Sequence, residues 1–130
     1  MSLLDIFKRK PEHLKTGQKG EQLACRYLIK KGYTLLRRNY RSGKHEIDII
    51  MLAPDRTAVV FVEVKTRTGS QYTLPREAVT RQKQHYLSLA AETYLRDTRR
   101  TDVPARFDVI EVYADEDHRI NHIERAFNAF

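Results

Sequence analysis

The first stretch with a clear hydrophobic pattern lies between Thr16 and Gly32. Apolar residues recur there at helical spacing, at Leu23, Ala24, Tyr27 and Leu28. Thr16 is placed to cap the start of a helix, and Gly32 is placed to end it. The pattern therefore predicts an α-helix over residues 17–31.

Three extended segments follow this helix, over residues 33–41, 46–52 and 58–66. Ser42-Gly43 supplies a turn before the second segment, and Ala53-Pro-Asp-Arg56 supplies a turn before the third. Because the gaps are short, we expect these strands to be antiparallel neighbours.

A longer helical pattern spans residues 76–97, with Pro75 near its start, where proline is tolerated. Its apolar stripe consists of Val79, Leu87, Ala90, Ala91, Tyr94 and Leu95. Two more strands are predicted over residues 106–113 and 119–124. The order α-β-β-β-α-β-β is typical of an α/β fold in which helices flank a mixed sheet. Residues 1–15 are interpreted as a flexible basic leader, and residues 16–130 as one domain.

Composition narrows the function classes. The chain has 130 residues and a net charge of +7, and such a surface either attracts polyanions or only maintains solubility. No apolar run approaches the ~20 residues of a membrane span, and the N-terminus lacks the pattern of a secretory signal. The single cysteine, Cys25, excludes an internal disulfide and a thiolate zinc site, and its apolar neighbours predict burial. We therefore expect a soluble cytoplasmic protein.

Three charged residues stand out in the second and third predicted strands. Asp48 interrupts an apolar run, and Glu63 lies among valines, where a carboxylate is costly unless it binds a cation or a donor. Glu63 and Lys65 project from the same face, because alternate strand residues share a face. This set predicts a site for a hard cation such as Mg²⁺, which can polarise a phosphodiester and activate water. A purely structural salt bridge between Glu63 and Lys65, or an arginine, explains the same spacing.

Separated motifs occur in a defined order along the chain. They are Gly17-x-x-Gly-Glu21-x-x-Ala24, Gly32-Tyr33, Arg38-Asn39-Tyr40-Arg41, Glu46-Ile-Asp48, Phe61-Val-Glu-Val-Lys65-x-Arg67, Glu77-Ala-Val-Thr80-x-x-Lys83 and Arg106-Phe-Asp108. In this order they resemble the YraN family (UPF0102 type), small bacterial proteins regarded as predicted endonucleases. That family belongs to the PD-(D/E)xK superfamily and is likened to archaeal Holliday junction resolvases. The chain departs from the family at His45, where glycine is usual, and in the loop before Pro75.

The resemblance implies a restriction-endonuclease-like sheet of five strands and a metal-dependent nuclease. Asp48 and Glu63 would bind Mg²⁺, or Mn²⁺ in its place, together with the backbone carbonyl of Val64. Lys65 would be the catalytic lysine. Glu21 matches the helix glutamate that completes such sites, although a first-turn acid also suits the helix dipole. The implied substrate is structured or branched DNA, and the implied assembly is a homodimer.

Basic residues cluster in the sequence around these acids, and arginine forks bind phosphate well. The predicted nucleic-acid contacts are Arg38, Arg41, Arg67, Arg81 and Lys83. Two other functions remain open: a non-catalytic nucleic-acid-binding module that assists DNA repair or recombination, and an interaction protein that docks through its apolar N-terminal residues. Asp108 is interpreted as structural, paired with a nearby basic residue.

Overall fold

The computed structural model of the chain describes residues 16–67, 79–114 and 117–128. The predicted order of helices and strands is confirmed, and most strand boundaries lie within one residue of the prediction. Strand β5 is longer than predicted, by three residues. The elements are α1 (Thr16–Lys30), β1 (Thr34–Ser42), β2 (His45–Leu52), β3 (Val59–Arg67), α2 (Arg81–Asp97), β4 (Ala105–Tyr113) and β5 (Arg119–Phe127).

The strands form one mixed sheet in the order β1-β2-β3-β4-β5. Neighbouring strands are antiparallel except for β3 and β4, which are parallel. Parallel neighbours need a crossover, and α2 lies in that connection. The α/β fold class predicted from the sequence is therefore confirmed, and β1 to β3 are antiparallel neighbours as expected.

The two helices cover opposite faces of the sheet, which gives three layers. On one face, Ala24, Cys25 and Leu28 of α1 pack against strand residues that include Val60 and Ile110. The fully buried thiol of Cys25 agrees with its predicted role as a small core residue. On the other face, the α2-side core contains Leu87, Ala90, Ala91 and Tyr94 of α2 with Phe61, Phe107 and Val109 of the sheet.

The helix boundaries differ from the predictions. Helix α2 begins at Arg81. The prediction that it begins at residue 76 was wrong for residues 79 and 80, which the structure describes and which are not helical. Thr80 is extended, with φ −65° and ψ 160°, and its hydroxyl accepts the Lys83 N–H at 3.1 Å, so Thr80 is the N-cap. Val79 packs into the core ahead of the helix. Helix α1 includes Thr16, one residue earlier than predicted.

Two predicted segments lie outside the described residues. They are the leader (residues 1–15) and the stretch 68–78, which contains Tyr72, Pro75, Arg76 and Glu77. Neither α1 nor α2 is long and apolar enough to cross a membrane.

Candidate active site

Strands β2 and β3 separate just where their acidic residues lie. Their ladder ends at the pair Ile49 and Val62, and one more step of the same register places Asp48 opposite Glu63. The N–H of Val64 then donates to Asp48 Oδ2 at 2.8 Å, so a side chain takes the place of the backbone ladder. Because the N–H and C=O of one strand residue point to the same side, the Val64 carbonyl also points toward β2. The Asp48 carboxylate therefore fills the gap between the two strands.

The side-chain alternation of β2 changes at Asp48. Ile47 packs into the α2-side core, whereas Ile49 packs into the α1-side core. A regular strand would place both isoleucines on the same face. Across the β1–β2 ladder, Asn39 lies opposite Asp48 and has a φ of 51°, a left-handed conformation that asparagine tolerates. This local distortion leaves Asp48 partly accessible, in the wall of a pocket.

Glu63 is the buried acid of the site, with a side chain that is only 6% exposed. Its Oε1 lies 3.4 Å from Lys65 Nζ and 3.1 Å from Lys83 Nζ. Its Oε2 is buried and has no hydrogen-bond partner among the described residues. A buried carboxylate oxygen without a partner is costly, so this atom needs a further donor or a cation.

A pocket of about 370 Å³ opens beside the gap, and we call it the acidic pocket. Asn39 links two acids of this pocket. When the amide nitrogen of Asn39 faces them, it donates to Glu21 Oε1 at 2.8 Å and to Glu46 Oε1 at 3.0 Å. The full lining consists of Glu21, Lys44, His45, Glu46, Asp48, Lys83, Tyr86 and Leu87.

Burial and mutual repulsion change the protonation of these acids. Burial, followed by the neighbouring Glu63 carboxylate, raises the pKa of Asp48 to about 7. Burial also raises the pKa of Glu21, although the Arg38 guanidinium opposes this effect. The site therefore holds an aspartate, Asp48, that resists ionisation near neutral pH.

The described residues provide a small set of possible metal ligands. Within the described ranges, no three His, Cys, Asp or Glu side chains are arranged so that they alone could hold a metal ion. The remaining donors are the Asp48 carboxylate, the unpartnered Glu63 Oε2 and the Val64 carbonyl. Such a set leaves most coordination positions to water or substrate.

The structure brings most predicted site residues together. Glu21 reaches the acidic pocket from α1, as the sequence motif implied, and Lys65 lies beside Glu63. Arg38 lies 4.0 Å from Glu21, and its Nε is buried without a partner among the described residues. Lys83 was predicted as a nucleic-acid contact. Its ammonium group pairs with the Glu63 carboxylate at the centre of the site.

The other predicted nucleic-acid contacts lie around this group. Arg41 is highly exposed and is 3.6 Å from Glu46. Arg67 is only 14% exposed, and its Nε pairs with the buried Glu111 at 3.3 Å, so its role in the described structure is within the fold. Arg81 lines a different pocket on α2.

Sequence reasoning missed several residues of the acidic pocket. Lys44, Glu46 and Asn39 were not assigned a role, although Glu46 lies on the motif that contains Asp48. Tyr86 was also missed: its ring stacks on His45 with centroids 3.9 Å apart and planes 11° apart. The unusual His45 is thus part of the rim of the pocket.

Asp108 is structural, as predicted. Arg106 donates to both of its carboxylate oxygens at 2.9 Å, and His122 lies 2.7 Å from Oδ2. The Arg125 N–H donates to Oδ1 at 3.1 Å, at the point where the β4–β5 register shifts. These four bonds satisfy a carboxylate that is completely buried, so it needs no ligand.

Comparisons with known proteins agree with the sequence motifs. Residues 20–112 match the model of a family described as "Uncharacterised protein family UPF0102". A UPF0102 protein of Pelobacter propionicus is 42% identical over 120 residues, which is 91% of this chain and 86% of the relative. A UPF0102 protein of Desulfosudis oleivorans is 46% identical, over 87% of this chain and 89% of the relative. A third, from Geobacter metallireducens, is 47% identical, over 85% of this chain and 90% of the relative.

Among solved structures, the chain is similar to one titled "The structure of Pyrococcus Furiosus SfsA in complex with Ca2+". The TM-score is 0.38 and the identity is 11%, over 84% of this chain and 62% of that chain. A likeness at this level carries no functional argument. The family match covers most of the chain, however, and the relatives are similar over nearly their whole length. The chain therefore belongs to the uncharacterised protein family UPF0102.

Proposed function

We propose that this protein is a metal-dependent endonuclease that hydrolyses phosphodiester bonds in structured or branched DNA. The observation that carries the proposal is a pair of carboxylates on diverging strands, the partly accessible Asp48 and the buried Glu63, with Glu63 Oε2 unpartnered among the described residues and Lys65 alongside. Two acids that repel each other at a pocket are a costly arrangement for a protein that only folds or only binds polyanions. A bound cation removes that cost.

The donor set fits Mg²⁺, with Mn²⁺ as a substitute. Mg²⁺ prefers oxygen ligands, keeps several waters and is commonly held by one or two carboxylates together with substrate phosphates. Asp48 and Glu63 would hold it, with the Val64 carbonyl as a third donor. When bound, the ion would polarise the phosphate and lower the pKa of a coordinated water.

The side chains of the chain supply the remaining chemistry. Lys65 is only partly exposed and places an ammonium group beside Glu63, where it can stabilise the charge that develops on the phosphate oxygens. Lys83 enters from α2 and donates to the same carboxylate oxygen, so it places a second ammonium group where it could bind a substrate phosphate. The ring pair of His45 and Tyr86 at the rim can contact sugar or base.

The preference for branched DNA rests on the resemblance to the resolvase-like superfamily. Enzymes that cut two strands symmetrically act as twofold dimers, so we also propose a homodimer. The test uses labelled four-way junction, flap, duplex and single-stranded DNA with Mg²⁺ or Mn²⁺. We expect cleavage of at least one substrate. Asp48→Asn, Glu63→Gln and Lys65→Ala should each lower the rate by about 10²-fold or more.

The matched control is Glu92→Gln, which neutralises an exposed acid of α2 away from the acidic pocket and should leave the rate unchanged. No cleavage of any substrate by the wild type, or equal rates for wild type and Asp48→Asn, would contradict the proposal.

A second candidate is a nucleic-acid-binding module without hydrolysis. The observation in its favour is that two lysines already neutralise Glu63, so the acid needs no metal for charge balance. This candidate predicts salt-dependent DNA binding that neither Mg²⁺ nor Glu63→Gln alters. The endonuclease proposal predicts instead that Mg²⁺ changes the DNA affinity of the wild type and not that of Glu63→Gln.

A further inference from the structure

A second polar pocket lies on the other side of α2 from the acidic pocket. Its volume is about 400 Å³, which is enough for a phosphate and part of its sugar. We call it the Arg81 pocket, and its lining consists of Arg81, Gln84, His85, Ser88 and Asn128.

The two pockets share the N-terminal half of α2. Lys83, Tyr86 and Leu87 line the acidic pocket, whereas positions 81, 84, 85 and 88 line the Arg81 pocket. Helical spacing places these two sets on opposite sides of the helix, so about 10 Å, the width of a helix, separates them. A nucleic-acid strand that crosses α2 would therefore meet both pockets.

Ser88 is the clearest sign that the Arg81 pocket has a ligand. Its side chain is only 2% exposed, it lines the pocket, and among the described residues its hydroxyl has no hydrogen-bond partner. Serine is a poor residue for a helix interior, so its presence here needs a reason other than helix stability. Alanine would fill the same position at lower cost if the site only had to pack.

The charge of the pocket selects an anion. Arg81 is a permanent cation, His85 and Gln84 carry N–H groups, and no carboxylate lines the pocket within the described residues. The first turn of α2 contains no acidic residue, so the positive end of the helix dipole adds to the cationic side chains. By contrast, three carboxylates line the acidic pocket.

We propose that the Arg81 pocket binds a backbone phosphate of the nucleic-acid strand that also occupies the acidic pocket. Arg81 and His85 would bind the phosphate oxygens, and the Ser88 hydroxyl would donate to one of them. This inference rests on the proposed function for the identity of the strand. It differs from that function in predicting a contact that contributes to DNA affinity without metal and without cleavage.

The main test compares Arg81→Gln with the matched control Arg96→Gln, which removes the same charge from the last turn of the same helix. DNA affinity is measured by fluorescence anisotropy in EDTA, over a series of salt concentrations. Arg81→Gln should weaken binding by about tenfold and reduce the slope of log K against log salt by about 1. Arg96→Gln should change neither quantity. Equal affinities and slopes for the two variants would overturn the proposal.

Ser88→Ala separates binding from folding. Because alanine is a better helix former than serine, the variant should be at least as stable to thermal unfolding as the wild type. Its DNA affinity should nevertheless fall by a fewfold. Unchanged affinity would show that Ser88 does not contact the phosphate, and would remove the hydroxyl from the proposed site.

Inorganic phosphate distinguishes a nucleic-acid contact from a site for free phosphate. In NMR titrations, the Arg81 pocket should bind a DNA strand far more tightly than inorganic phosphate, and Arg81→Gln should weaken the binding of both. Tight phosphate binding with unaltered DNA affinity in Arg81→Gln would assign the pocket to a small anion and overturn the proposal.

The two proposals can fail separately. If no DNA is cleaved but Arg81→Gln still weakens binding, the phosphate site holds and the endonuclease does not. If cleavage occurs and Arg81→Gln binds DNA like the wild type, the endonuclease proposal holds and the phosphate site does not.

Discussion

Asp48→Asn should stabilise the metal-free protein at pH 8 while it lowers the cleavage rate by about 10²-fold or more. In the folded chain, burial and the neighbouring Glu63 carboxylate raise the pKa of Asp48 from its ordinary value of 3.8 to about 7. The folded state therefore binds this proton more tightly than the unfolded state. The contribution of Asp48 to the free energy of unfolding is complete below about pH 4. It is lost as the pH rises through about 7.

The magnitude follows from the size of this change. Each pKa unit corresponds to about 1.4 kcal/mol, so the difference between pH 4 and pH 8 is at most about 4 kcal/mol. Because the two carboxylates are coupled and Lys83 lies close by, we expect a measured gain for Asp48→Asn of about 1–3 kcal/mol. Asparagine keeps an oxygen that can accept the Val64 N–H, so the local hydrogen bond survives.

The assay is urea unfolding of the wild type and Asp48→Asn in EDTA, at pH 4.5 and at pH 8. The stability difference should be at most about 1 kcal/mol at the lower pH and should favour the variant more strongly at the higher pH. The matched control is Asp102→Asn, at an exposed aspartate in the turn before β4, which should show no such trend. A variant that is less stable than the wild type at pH 8 would refute the reasoning, because Asp48 would then be a favourable charge in the folded state.

Three further predictions concern the metal and the framework of the site. Mg²⁺ in the millimolar range should raise the melting temperature of the wild type and not that of Asp48→Asn, as differential scanning fluorimetry would show; equal increases would argue against this binding site. Gly20→Ala should lower the free energy of unfolding by about 1–3 kcal/mol, since its new Cβ would collide with Thr66 Oγ1. Gly17→Ala, with nothing near its Cβ, should instead be neutral or stabilising by up to about 1 kcal/mol; similar urea midpoints for the two variants would contradict this. Asp108→Ala should lower the free energy of unfolding by about 3–5 kcal/mol, because it removes the buried carboxylate that Arg106 and His122 share, yet the cleavage rate per folded molecule should be unchanged; a selective loss of rate would assign that network to catalysis.

Local periodicity explains what could be predicted from the sequence. A helix or strand repeats its faces every few residues, so the apolar patterns predicted both helices and the five strands in their order along the chain. The same rule placed Glu63 and Lys65 on one face of β3, and the structure confirms that they form an ion pair. The start of α2 was misplaced because Val79 continued the apolar pattern, although it packs as part of the approach to the helix.

The site itself depends on contacts between residues that are far apart in the chain. Asp48 reaches its gap because β2 and β3 diverge, and Lys83 reaches Glu63 because the α2 crossover returns across the sheet. Asn39 has a left-handed backbone and, with its amide nitrogen turned toward them, donates to Glu21 and Glu46, and no local pattern predicted either feature. Arg67 carries the same charge as Arg81, yet Arg67 pairs within the fold whereas Arg81 lines an open pocket.

Which residues share a face follows from the sequence alone, because the backbone repeats of a helix and a strand are local properties. Which of those faces meet depends on the packing of the whole core, because that packing sets strand register and the crossover. The two kinds of information therefore divide at the site: residue types and faces are local, whereas pairing, burial and pKa are not.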